Sequence, residues 1–225
     1  MKKNILNLSA IVLIAVASVF TGCKKDDITP PVVTLNGTTP QTISLQGTYT
    51  ELGATATDDI DGAITPVVSG SVNTNLAGTY IITYTATDAA GNAGTATRTV
   101  IVKNDAESMA GTYSGSETDI NGPYTYVQTN TVTPSTTVNN RVDLTRLGDF
   151  ANNTVYMMIT GTSITIPSQT VANVGTGSAS CDVHSRQTDG TGTITSNGFT
   201  LTYNDAKVSP CSGTRTAVAA VFVKQ

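Results

Sequence analysis

TYIITYTAT, residues Thr79 to Thr87, decides the fold class. Tyr80, Ile82, Tyr84 and Ala86 fall on one side of an extended chain, and threonines dominate the other. A period of two with one apolar face predicts a half-buried strand. The pattern repeats outward from this stretch. Val32–Leu35, Thr42–Leu45 and Thr97–Val102 read as further strands, and Asp61-Gly62, Gly78 and Gly91-Asn92 supply the turn chemistry between them. Pro66 has no N–H to donate and marks a strand start or an edge. A polar joint, Lys103 to Ser108, separates this region from a second set of strands: Tyr124–Val127, Thr154–Ile159, Ser163–Pro167, Gly198–Tyr203 and Thr216–Val223. About eight short strands in the last ~115 residues favour an up-and-down barrel or a sandwich. One short helical turn is expected at Leu147-Gly148-Asp149-Phe150.

Composition agrees with an all-β chain. Charged residues are 12% of the 225, about half the roughly 25% usual in globular proteins. There are 42 threonines, 20 glycines and no tryptophan. A chain so rich in a β-branched residue, and so poor in Glu, Lys and Leu, excludes a helical bundle, a coiled coil and a doubly wound α/β enzyme. Twelve basic side chains face 16 acidic ones. Nucleic acid, which needs a clustered basic face, is therefore excluded as a partner.

The first residues read as an address. Lys2 and Lys3 precede an apolar stretch that includes Ile11 to Ala17, and the stretch ends at Phe20-Thr21-Gly22-Cys23. A basic start, a short apolar run and small residues at the cut site define a secretory signal over residues 1–22. The run is too short to span a membrane comfortably. Thr21-Gly22-Cys23 resembles the lipobox of bacterial lipoproteins, with Phe20 where Leu is usual. The resemblance implies that Cys23 is lipidated, becomes the first mature residue and attaches the chain to outer-membrane lipid; several acyl chains make such anchoring stable. Lys24-Lys25-Asp26-Asp27 resembles the lysine-acid-acid signal of Bacteroidota-type lipoproteins, so Lys25, Asp26 and Asp27 imply display on the cell surface, with a periplasm-facing anchor as the alternative. Residues 23–30 form the lipidated linker. Removing residues 1–22 leaves ten basic and 16 acidic side chains, a formal −6.

"TATDDIDGAIT" (Thr55–Thr65), "AGTYIITYTATDAAGNAG" (Ala77–Gly94) and "TRTVIV" (Thr97–Val102) resemble bacterial immunoglobulin-like domains of secreted and surface proteins. The resemblance spans residues 31–103 and implies a seven-stranded sandwich without the antibody disulfide. After a linker at 104–108, "GTYSG", "LGDF", "SITIPSQTV" and "GTGTIT…GFTLTY" resemble lipocalin-like (calycin-like) domains, with Tyr113 in place of the usual Trp. This second resemblance spans residues 109–224 of a domain set at 109–225 and implies an antiparallel barrel, which either holds a small ligand or is filled by its own side chains.

Little in the chain speaks of catalysis. His184 is the single histidine. No zinc spacing, P-loop, dinucleotide glycine pattern or nucleophile elbow is present. Acid pairs such as Asp143 with Asp149, or Glu117 with Asp119, are not distinguished from exposed loop acids. Glycans favour aromatic platforms; Tyr113, Tyr124, Tyr126, Tyr156 and Tyr203 are available, although Tyr203 alternates with Phe199 and Leu201 as a core residue does. Met157 and Met158 are adjacent, so on a strand one faces in and one out. Asp58, Asp59, Asp61 and Asp88 sit at turn spacing and offer oxygens to calcium, or simply cap their own turns. No other cofactor is expected.

The expected function is a non-catalytic binding or interaction module on an Ig-like stalk, with an unidentified small ligand, glycan or protein as partner. A structural or adhesion protein is the first alternative, and a cell-surface hydrolase using scattered acids or His184 the second. With Cys23 lipidated, Cys181 and Cys211 remain as an even pair in an oxidising compartment and are expected to form a disulfide. The bridge would close a loop of about 31 residues, worth roughly 3–4 kcal/mol in the chain-entropy model. Reduction should therefore raise the intact mass by two hydrogens; an unchanged mass refutes the bridge.

Overall fold

The computed structural model describes residues 26–118, 125–148, 153–171, 186–207 and 214–225. The first domain has seven strands: β1 (Val32–Leu35), β2 (Gln41–Ser44), β3 (Ala54–Asp58), β4 (Gly62–Ile64), β5 (Val67–Ser69), β6 (Gly78–Thr87) and β7 (Ala93–Lys103). They form two sheets, ordered β1-β3-β4 and β2-β7-β6-β5. The implied seven-stranded sandwich is what the chain forms. The opening stretch is the long strand β6, paired antiparallel to β7 over its whole length. Ile82, Tyr84 and Ala86 are buried as the period of two requires, while Thr79, Ile81 and Thr87 on the other face are exposed. The core packs Ile82, Tyr84 and Val100 against Val33, Leu35, Ile43 and Tyr80. Pro66 lies between β4 and β5, next to the edge strand.

One charged residue is in that core. Arg98 is 0% exposed. Its guanidinium donates to the carbonyls of Asn36 (2.6 Å), Thr38 (2.7 Å) and Gly53 (3.1 Å). It also lies 3.7 Å from Glu51, which accepts hydrogen bonds from the Tyr49 and Tyr84 hydroxyls. Burial pushes both tyrosines up, and the bonds to Glu51 push the same way.

The second domain is a closed barrel of eight strands: β8 (Gly111–Thr118), β9 (Thr125–Pro134), β10 (Arg141–Thr145), β11 (Thr154–Thr160), β12 (Ser163–Val171), β13 (Arg186–Thr195), β14 (Gly198–Lys207) and β15 (Thr214–Lys224). Each strand pairs antiparallel with the next, and β15 returns to β8 with Phe222 opposite Gly115. This is the up-and-down arrangement. Its near end carries the joint and the connections 135–140, 161–162 and 196–197. Thr118, Thr125, Thr145, Thr154, Val171, Arg186, Lys207 and Thr214 are the strand ends at the far end.

The interior of the near half is filled. The Phe199 and Phe222 rings stack 4.5 Å apart, and Tyr113 meets Phe199 edge-on at 5.0 Å. Met157, Ile164, Leu201 and Val218 complete the layer. Gly115 makes room for it, because a Cβ there would stand 2.7 Å from the Phe222 ring. Met157 faces in and its neighbour Met158 is half-exposed.

The polar joint turns out to be a packed hinge-pin. Glu107–Met109 forms a 3-10 turn, and Ala106 and Met109 enter the barrel core at its near end. By contrast, Leu147 and Gly148 are not helical, and Asp149 and Phe150 lie outside the described residues. Asn104 is 3% exposed. Its Nδ2 donates to the carbonyls of Ser135 (3.0 Å), Val138 (3.2 Å) and Arg141 (2.8 Å), and its Oδ1 accepts from the amides of Ala106 and Asn140, both at 2.9 Å. Around it, Ala77 N donates to Thr136 O (2.8 Å), Asn139 N to Gln46 Oε1 (3.1 Å) and the Ser44 hydroxyl to Asp105 (2.7 Å). The Asn139 amide and the Ser44 hydroxyl hold the Asp105 carboxyl below its ordinary range. Asn104→Ala would strip these buried groups of their partner and should cost about 2–3 kcal/mol in denaturant unfolding; an unchanged midpoint would refute the pinning role.

Candidate functional site

The far half of the barrel is polar inside. The period of two that buries Tyr113 and Gly115 on β8 also turns Glu117 inward, where it is 0% exposed. On β14 the parity of Phe199, Leu201 and Tyr203 carries Asp205 inside, and on β9 that of Val132 carries Gln128 and Asn130. Glu117 is thus no exposed loop acid. Tyr203 Oη donates to its Oε2 at 2.7 Å, and its Oε1 accepts from Gly148 N (2.9 Å) and Gln128 Nε2 (3.4 Å). Gln128 and Asn130 also donate to the Arg146 carbonyl, at 2.5 and 2.8 Å. Arg146 has φ 59°, a conformation that turns its carbonyl toward both amides. Asp205 forms an ion pair with Arg186 and lies 3.5 Å from the Thr188 hydroxyl.

Among the described residues the barrel holds no ligand-sized cavity. The space between Leu147, Val155, Tyr203 and Asp205 measures about 10 Å³, room for one water at most. An open cleft of about 370 Å³ lies at the joint, lined by Gly78, Ile101, Lys103, Glu107 and Pro134.

The residues singled out in the sequence fall in different places. Cys23, Lys25, Cys181, Cys211 and His184 lie outside the described residues, as do Asp119, Tyr124 and Asp149. Asp143 is on the outer face of β10, 2.9 Å from Arg141, which lies over the Tyr156 ring. Tyr113 and Tyr203 are core residues rather than glycan platforms.

Two of the four aspartates converge, together with one from outside the set. Asp61 and Asp88 meet Asp27 of the linker, with carboxylate oxygens within 4.8 Å of one another. Asp59, which is exposed, and Asp58, which is buried, are not members of this group. Asp27 carries no local signal of its role, since the contact exists only once the chain has folded. Asn92 joins the parts: its Nδ2 donates to the Asp27 carbonyl (3.1 Å) and to Asp88 Oδ2 (2.8 Å). Asp61 Oδ2 accepts from Ala89 N at 2.6 Å. Asp58 Oδ1 accepts from the amides of Ile60 and Asp61, both 2.9 Å, as an Asx turn does. Desolvation pushes the Asp88 carboxyl up, but the Asn92 side chain and the amides of Asn92, Gly91 and Ala90 outweigh it and hold the carboxyl below its ordinary range.

Residues 33–102, from within β1 to within β7, match the family model described as the Ig-like domain of bacterial surface proteins. The first domain is of that class, and the match supports a place at the surface of the cell envelope. No curated protein matches the chain. Among solved structures, the crystal structure of a lipoprotein from Bacteroides thetaiotaomicron is similar at 20% identity, covering 87% of this chain and 100% of that one, with a TM-score of 0.33. That likeness is too loose to bear on fold or function.

The buried carboxylate gives a direct test of the far half. Tyr203→Phe removes one donor from Glu117 and should destabilise the barrel by about 2 kcal/mol in thermal or urea unfolding. An unaltered midpoint would mean that this hydroxyl does not support the carboxylate.

Proposed function

We propose that the protein is a lipid-anchored protein of the outer-membrane surface. In this reading Cys23 carries the anchor, Lys25-Asp26-Asp27 direct display, and the Ig-like domain is a stalk. The barrel is a non-catalytic binding module that meets its partner at the far end. One observation carries the reading: charged and amide side chains collect in the far half of an otherwise apolar barrel, at the end opposite the stalk. With the near half filled by aromatic side chains, the partner is engaged at the rim rather than swallowed.

A second reading, a structural or adhesion protein, draws on the outer wall. Val127 and Val221 are 72% and 47% exposed. Both stand opposite Ser116, so they flank β8 in one row. Exposed apolar rows of this kind suit contact with another macromolecule.

Native mass spectrometry of the lipid-free protein, incubated with an extract of its host, separates the two. An added mass that survives gentle ionisation is the expected result and identifies the class of ligand. A bare mass overturns the binding module and favours the adhesion reading.

A further inference from the structure

One row of the barrel wall is irregular in two places. Between Ile166 and Gln169 the ladder from β12 to β13 shifts, so that Pro167 and Ser168 stand opposite the single Asp189. Between Tyr203 and Asp205 the ladder from β14 to β15 also shifts, so that Thr216 and Ala217 stand opposite the single Asn204. Asp189 and Asn204 are themselves register partners. The two bulges thus bracket one pair of side chains. Both point outward, because Thr188, Tyr203 and Asp205 beside them are buried. Asn204 Nδ2 donates to Asp189 Oδ2 at 3.2 Å, and Asn204 Oδ1 accepts from Ala217 N at 3.1 Å. Ala217 has φ 51°, a left-handed backbone for a residue with a Cβ. Gln187 Nε2 donates to the Ser168 hydroxyl at 2.7 Å. Bulges re-aim side chains and recur next to active sites, and so does strained non-glycine backbone. Two residues along, Thr165, Thr191 and Thr202 form a second row across the same strands, and all three are exposed. The rows lie about 7 Å apart, and neighbours within a row about 5 Å. Together they line an open groove of about 740 Å³.

We propose that this groove is a second binding surface of the barrel and that it takes a neutral carbohydrate. Among the described residues, Asp189 is the one charged group that lines it, and it forms no ion pair. With no cation to meet them, acidic polymers and nucleic acids are not accommodated. A single carboxylate is too few for a calcium ion. The wall of a closed barrel has no free strand edge for an extended peptide. Nor, among the described residues, does an aromatic or arginine anchor of the kind that carries protein interfaces line the groove. What the groove offers is hydrogen bonding in both senses. The Asp189 carboxylate and Asn204 Oδ1 accept, Asn204 Nδ2 donates, and the three threonine hydroxyls do either. A sugar ring likewise carries hydroxyls that donate and accept on neighbouring carbons. Its C–H face is apolar, and Pro167 and Ala217 give that face a rest at the two bulges. The groove is on the wall, apart from the far rim, and does not depend on what the rim engages.

The test is affinity electrophoresis of the mature chain, carrying Cys23→Ser, in native gels cast with dextran, mannan, xylan or galactan, and with alginate as the acidic control. The parent is expected to be retarded by at least one of the neutral polymers. In that gel Asp189→Ala should weaken binding about tenfold or more, because it removes a charged acceptor. Thr191→Val should weaken it by about two- to tenfold. This change keeps a β-branched residue at an exposed strand position, so the barrel is undisturbed. Asp143→Ala, on the outer face of β10, should be retarded as the parent is. Migration that no neutral polymer slows overturns the proposal, and so does retardation by alginate alone. Retardation by a neutral polymer that both groove substitutions leave at the parent's strength overturns the groove as its site.

Discussion

A closed barrel of eight strands is narrow enough for its own side chains to fill, and in the near half of this one they do. Every inward position must therefore be occupied or relieved. In the near half the occupants are Phe199, Phe222, Tyr113 and Met157, and Gly115 gives up its side chain so that the Phe222 ring can lie flat. In the far half the same alternation brings in Glu117, Gln128, Asn130 and Asp205. Those groups cannot be left bare in a low-dielectric interior, and they tie one another, the Arg146 carbonyl and the Gly148 amide into a network. Filling thus leaves the rim and the outer wall as the barrel's accessible surfaces.

The joint follows a similar logic with fewer atoms. β7 delivers Asn104 directly against the 135–141 segment, where one side-chain amide serves three carbonyls and two N–H groups. The 3-10 turn that follows puts Met109 into the barrel core. The two domains share a packed and hydrogen-bonded seam rather than a flexible string.

Much of this architecture was legible in the residues. Tyr80, Ile82, Tyr84 and Ala86 announce a one-sided strand, and the second domain's short apolar runs announce a meander. What escaped has identifiable physical causes. Glu117 reads as a loop acid when charge is weighed alone, yet its parity with Tyr113 and Gly115 already placed it inside. Asp205 shares parity with Tyr203 in the same way, although the ladder to β15 shifts register between them. Asn104 sits in a run of polar residues that looks like a solvated linker, and only its partners across the seam reveal its burial. Asp27 is far in sequence from Asp61 and Asp88, so no spacing rule could pair them, whereas the Asp61 and Asp88 turns were visible as turn chemistry.

The two attachment points of the sandwich have a mechanical meaning. The chain enters at Pro31, beside Gly94 at one pole, and leaves after Lys103 at the other. A pull between the two ends of this domain would run along the strands. In that direction the hydrogen bonds between β6 and β7, paired over ten positions from Gly78 to Thr87, are sheared together rather than unzipped one at a time. A domain strung from pole to pole in this way resists drag as a cable does, loading many weak bonds at once instead of one after another.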